Sequence, residues 1–211
     1  MGQIIIPVTK DAMINNSSTS TNLNDRTLIV GKYQDSFFYR ALLYFNLVSL
    51  SDKQITSAYL RLCQANGGGS AFLDFGVFRI LEDWGESTVN WDNRPDISET
   101  DAMSFNLSET SQSWRDFDIT TLVKDIISGS LTYYGFMLRQ PGDTDNAYKI
   151  FFTHEQAGDY YPRLIVNYIS GFKARVGDSW RDNTQTYVRQ DGVWREGYVS
   201  TRQGGVWKEG M

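Results

Sequence analysis

The stretch 81–95, LEDWGESTVNWDNRP, gathers the densest chemistry in the chain: the carboxylates Glu82, Asp83 and Glu86 beside the tryptophans Trp84 and Trp91. Paired carboxylates are what glycoside hydrolysis uses, but they must oppose each other across a cleft at a set separation. Here they are close neighbours flanking one loop, which fits a solvated acidic loop better than a catalytic pair. His154 is the only histidine. That excludes His-rich zinc sites and leaves a Ser-His-Asp arrangement resting on one residue, with no nucleophile elbow beside it. In FFTHEQAGDYYP it stands at a strand end, where a surface or hydrogen-bonding role is expected. No GxxxxGK[ST] phosphate loop is present. The chemistry-bearing residues therefore point to a non-enzymatic protein, ahead of a polysaccharide-degrading enzyme.

The elements that must position these residues read as short strands. QIIIPV, TLIVGKY, FFYRALLYFNLV, ITSAYLRLCQA, AFLDFGVFRIL, GFMLRQP, YKIFFTH and PRLIVNYI are alternating or apolar segments rich in β-branched and aromatic residues, broken by turn residues. Segment 55–62 slips phase once, which a β-bulge accounts for. One helix is expected in FDITTLVKDIISGS. Ile119, Leu122, Val123, Ile126 and Ile127 fall on one face, Asp118 can cap the start and Gly129 can close the end. The loops NNSSTSTNLND and NGGGS belong on the surface. The fold class is all-β, an antiparallel sandwich with one short helix plugging an end.

Composition bounds the rest. At 211 residues and 41% hydrophobic the chain can bury one sizeable core, so one main domain is expected. No apolar run approaches the roughly 20 residues of a membrane helix, and MGQIIIPVTKDAMI has no basic start or apolar h-region, so a soluble chain with no export signal is expected. Cys63 stands alone, excluding an internal disulfide, and reads as a small buried hydrophobe. The net charge of −5 argues against nucleic acid and anionic membrane as partners. It is uneven: residues 1–169 hold 13 Lys+Arg against 20 Asp+Glu, whereas 170–211 hold 7 against 5. With Gly171, that step divides a sandwich, 1–169, from a basic tail, 170–211.

The 81–95 stretch resembles the DNRLRE family through a W-x-E-x-T-V-x-W-x-x-x-P-like string: Trp84, Glu86, Thr88, Val89, Trp91, Asn93, Arg94 and Pro95. TLIVG, YRALLYFNL, ITSAYLRL, WRDFDITTLVKDIISG, YGFMLR and YPRLIVNY follow in matching order, so the likeness covers about 4–168. It implies a jelly roll similar to carbohydrate-binding modules, a non-catalytic appendage of secreted and surface proteins. It also implies a structural calcium ion, for which Asp11, Asn15 and Asp116 are the candidate ligands. Two readings of the motif stay open. Trp84 and Trp91 can close the mouth of the sandwich while Arg94 pairs with Glu86 or Asp92, or the tryptophans can stack on sugar.

The tail repeats itself. RVGDSWR, RQDGVWR and RQGGVWK carry Trp180, Trp194 and Trp207, each after a Gly/Asp pair: Gly177-Asp178, Asp191-Gly192 and Gly204-Gly205. Such pairs favour the tight turns of two-residue hairpins. Counting outward sets Arg175 opposite Trp180, Arg189 opposite Trp194 and Arg202 opposite Trp207, a cross-strand cation–π couple in each hairpin of a C-terminal meander. An annex packing on itself or on the sandwich, an assembly surface toward copies of itself or other virion proteins, and a ligand cage all fit. GGVWK-type endings resemble those of bacteriophage structural proteins. The combined expectation is a virion protein, an exposed decoration, fibre or tail appendage, made in the host cytoplasm and extracellular after release, with cell-surface glycan as a candidate partner of its sandwich. The alternative is a free carbohydrate-binding module of a bacterial surface or secreted system.

Overall fold

The computed structural model describes residues 2–18, 20, 27–33, 36–65, 73–108, 110–143, 147–155 and 158–170, and six short strands between 172 and 209. The loops 66–72 and 21–26, and with them most of the two polar loops expected at the surface, lie outside the described residues.

Ten antiparallel strands form the sandwich: β1 (Gly2–Asn15), β2 (Thr27–Tyr33), β3 (Phe37–Phe45), β4 (Lys53–Gln64), β5 (Leu73–Arg79), β6 (Met103–Leu107), β7 (Ser113–Asp118), β8 (Phe136–Arg139), β9 (Tyr148–Phe152) and β10 (Arg163–Ser170). The long first strand serves both layers. Gly2 through Pro7 pair with β10, and Val8 through Asn15 pair with β3 after a register shift between Val8 and Lys10. One layer runs β7-β4-β10-β1 and the other β1-β3-β8-β5-β6, with β2 and β9 joining β3 to β4. The slip in segment 55–62 is a bulge. Asn167 pairs with Ser57 but Tyr168 with Ile55, so Thr56 is the extra residue that returns Ile55 to the buried side.

Between the layers lies an apolar core in which Phe75 of β5 meets Phe117 of β7 edge-on at 5.0 Å, with Phe45, Phe136 and Phe151 fully buried beside them. Each such side chain contributes ~1.5–3 kcal/mol on burial. Cys63 is buried, as its residue type suggests. The helix α1 (Thr120–Ile127) buries Leu122, Val123 and Ile126 into the core and packs on β4. Asp118 stands one residue before the helix-start position at Ile119, and its Oδ1 accepts from Thr120 N at 2.9 Å. At the other end Gly129 takes φ 79°, and its N–H donates to Ile126 O at 3.1 Å.

The tail forms three separate two-stranded sheets: β11 (Phe172–Val176) with β12 (Ser179–Asn183), β13 (Tyr187–Gln190) with β14 (Val193–Glu196), and β15 (Ser200–Gln203) with β16 (Val206–Glu209). Their registers pair Arg175 with Trp180, Arg189 with Trp194 and Arg202 with Trp207. The intervening Gly/Asp pairs, and the side chains that would make the cation–π couples, lie outside the described residues.

Candidate functional site

The 81–95 loop is fastened to β1. Lys10 Nζ donates to Trp84 O at 2.9 Å, lies 4.6 Å over the Trp84 ring and 3.4 Å from Asp83 Oδ1. Glu86 Oε1 accepts the Asp11 backbone N–H at 2.8 Å, and Glu82 Oε1 accepts the Asp96 N–H at 2.9 Å. Each carboxylate of the acidic group is thus engaged by the scaffold. Thr88 closes a turn onto Gly85 O, Asn93 Nδ2 donates to Thr88 O at 3.0 Å, and Pro95 is buried.

The two tryptophans differ. Trp84 is 6% exposed and its indole N–H donates to Tyr134 O at 2.9 Å, so it closes the end of the sandwich and has no face for a sugar. Its seat needs a glycine. Gly135 has φ 120°, and a Cβ there would meet Leu43 O at 2.6 Å and the Trp84 nitrogen at 3.3 Å. Trp91 is half-buried, with the Arg40 and Arg94 guanidinium groups 4.5 and 4.7 Å from its ring centre. Those cations occupy the π surface that a sugar would use. Of the two partners expected for Arg94, Glu86 turns toward Asp11 instead, and Arg94 Nη1 donates to Trp91 O at 2.5 Å.

Glu86 belongs to a cluster that sequence spacing hides. Asp11, fully buried, accepts the His154 N–H on Oδ2 at 2.9 Å, and its Oδ1 lies 3.1 Å from His154 Nδ1. Glu86 Oε1 is 3.7 Å from the same Nδ1, and Glu155 Oε1 is 3.2 Å from His154 Nε2. Burial pushes the Asp11 carboxyl up to about 6, against the lowering pull of His154. Partial burial alone would lower His154, but Asp11, Glu155 and Glu86 more than offset it and hold the imidazole above its ordinary value.

Asp11, Asn15 and Asp116 do not form a common calcium site. Asn15 lies four residues along β1 from Asp11, about 13 Å at strand rise, and its Oδ1 accepts from Ser17 and Ser18. Asp116 faces out of β7 in a two-pronged pair with Arg61, both contacts 2.6 Å. Strand residues four apart share a face but not a ligand sphere.

An aromatic row running from β7 past the loop before β10 to the end of β9 carries what the motif does not. Trp114 and Tyr160 are 36% and 39% exposed, with ring centres 6.4 Å apart, and Phe152 extends the row 5.3 Å from Tyr160. The Arg163 guanidinium lies 5.0 Å over Trp114 and 4.5 Å over Tyr161. Sequence reasoning passed over this row, although a signal was present. In SWRDFD, Trp114 shares parity with Asp116 and Asp118 while Phe117 takes the other, so an outward tryptophan could have been inferred.

No curated protein gives a match to the chain. A family model described as carbohydrate-binding module family 96 matches residues 3–168, the whole of the sandwich. With that span of the fold and the motif loop inside one match, the chain belongs to carbohydrate-binding module family 96.

Proposed function

We propose that the protein is a non-catalytic polysaccharide-binding module that stacks sugar rings on the Trp114, Tyr160 and Phe152 face. The observation carrying this is the row of neighbouring, partly exposed aromatic rings formed by β7, the loop before β10 and β9, in a chain of a carbohydrate-binding family. Aromatic faces set side by side suit the apolar faces of successive pyranose rings; unlike Trp91, which carries two guanidinium groups, Trp114 carries only that of Arg163 among the described residues, which leaves its other face for a sugar and offers hydrogen-bond donors beside it. The non-catalytic part of the reading accords with the family and with the scaffold roles of Glu82, Asp83 and Glu86. Electrophoresis through gels loaded with a panel of polysaccharides tests it. One polysaccharide should retard the protein, and Trp114→Ala should weaken that binding roughly 5- to 30-fold, as expected for loss of ~1–2 kcal/mol from a central aromatic contact. Retardation unchanged by Trp114→Ala would count against the face.

A second reading concerns setting. The three tail hairpins share one Arg–Trp register, and repetition of one small unit favours an assembly surface, either toward copies of the chain or toward other proteins of a virus particle. On that reading the protein is an exposed virion decoration, fibre or tail appendage that reaches the outside with the particle. Deleting 170–211 and measuring mass in solution separates it from a free module. Loss of an assembly with the fold retained favours the virion role, and a monomer before and after favours the free module.

A further inference from the structure

We propose that Asp11, Glu86, His154 and Glu155 form a divalent-cation site that clamps the 81–95 loop and the turn after β9 onto β1. One ligand atom from each lies within 4.8 Å of the others, the spread that four donors about 2.0–2.4 Å from one ion would have. An independent observation points the same way. Asp11 is fully buried and its Oδ1, facing the cluster, has no hydrogen-bond partner by distance and angle together among the described residues, its nearest charged neighbour being His154 Nδ1 at 3.1 Å. A buried carboxylate oxygen without a donor is costly, and a cation removes that cost. The three carboxylates come from three separate segments, β1, the motif loop and the turn after β9, so an ion there would join parts that the chain brings together only on folding. Three carboxylates and one imidazole suit Mn2+ or Zn2+ better than Ca2+. The proposal does not depend on sugar binding.

The test uses the full chain, stripped with EDTA and titrated with Mn2+, Zn2+ or Ca2+ by calorimetry and by thermal melts. Expected are one bound equivalent and a melting point several degrees higher at saturation. Glu155→Gln, at an exposed position, should weaken binding at least tenfold while leaving the melting point of the stripped protein within about a degree. Asp11→Asn should abolish binding, and Asp83→Asn, in the same loop but paired with Lys10, should leave it unchanged. No saturable binding of any of the three ions, or binding that Glu155→Gln and Asp11→Asn both leave intact, would overturn the proposal. A site that takes Ca2+ alone would remove His154 from the ligand set.

Discussion

Replacing Trp84 by phenylalanine tests the claim that the motif tryptophans serve the scaffold. Trp84 is 6% exposed, donates its indole N–H to Tyr134 O at 2.9 Å and lies under Lys10 Nζ at 4.6 Å. Phenylalanine keeps one ring but leaves the partly buried Tyr134 carbonyl without its donor, which costs ~1–2 kcal/mol. It also leaves a void where the pyrrole ring was and weakens the Lys10 contact, together ~1–2 kcal/mol. The expected loss is about 3 kcal/mol, or a fall in melting temperature of roughly 6–12 °C for a domain of this size. Trp91→Phe should lose under about 1 kcal/mol, because Trp91 is half-buried and its ring chiefly carries the Arg40 and Arg94 guanidinium groups. Urea unfolding followed by far-ultraviolet circular dichroism measures both. Equal losses, or a Trp84→Phe loss below about 0.5 kcal/mol, would refute the assignment.

Gly135→Ala forces a Cβ toward Leu43 O at φ 120° and should cost ~2 kcal/mol or more by the same unfolding assay. Asp101, although burial opposes it, is held below the usual carboxylate value by hydrogen bonds from Ser98 and from the nearly buried Arg79. A carboxyl lowered in the folded state stabilises fully above its unfolded value of 3.8, and that stability is lost as pH falls through the lower folded value. Unfolding measured from pH 7 down to pH 2 should therefore show an acid decline that Asp101→Asn makes shallower, and an equally steep decline in the variant would contradict the assignment.

The strands that announced themselves did so by parity and β-branched content. Segments such as TLIVGKY and PRLIVNYI bury one side and pair as their alternation requires. β6 and β7 are less legible: MSFNL alternates but is only five residues long, and SWRDFD puts Ser113 and Arg115 on the same parity as the buried Phe117. The helix face was legible from its 3.6-residue period, and the hairpin registers from the turn pairs, since both are local signals. The site was not. Asp11 and His154 are 143 residues apart, and only the crossing of β1 from one layer to the other brings that aspartate under the end of β9. The motif drew attention to Trp84 and Trp91 through their spacing, but burial and stacked arginines decide what a tryptophan can touch. Those depend on Tyr134, Lys10 and Arg40, which lie outside the motif.

The most direct measurement is nuclear magnetic resonance of the 15N-labelled protein, following its tryptophan indole signals while a bound polysaccharide or its oligosaccharides are added. The account predicts that the Trp114 indole signal shifts in a saturable way, together with backbone amides of 113–116, 159–161 and 163, while the Trp84 signal stays in place. A titration that moves Trp91 or the tail tryptophans and leaves Trp114 unmoved would contradict it.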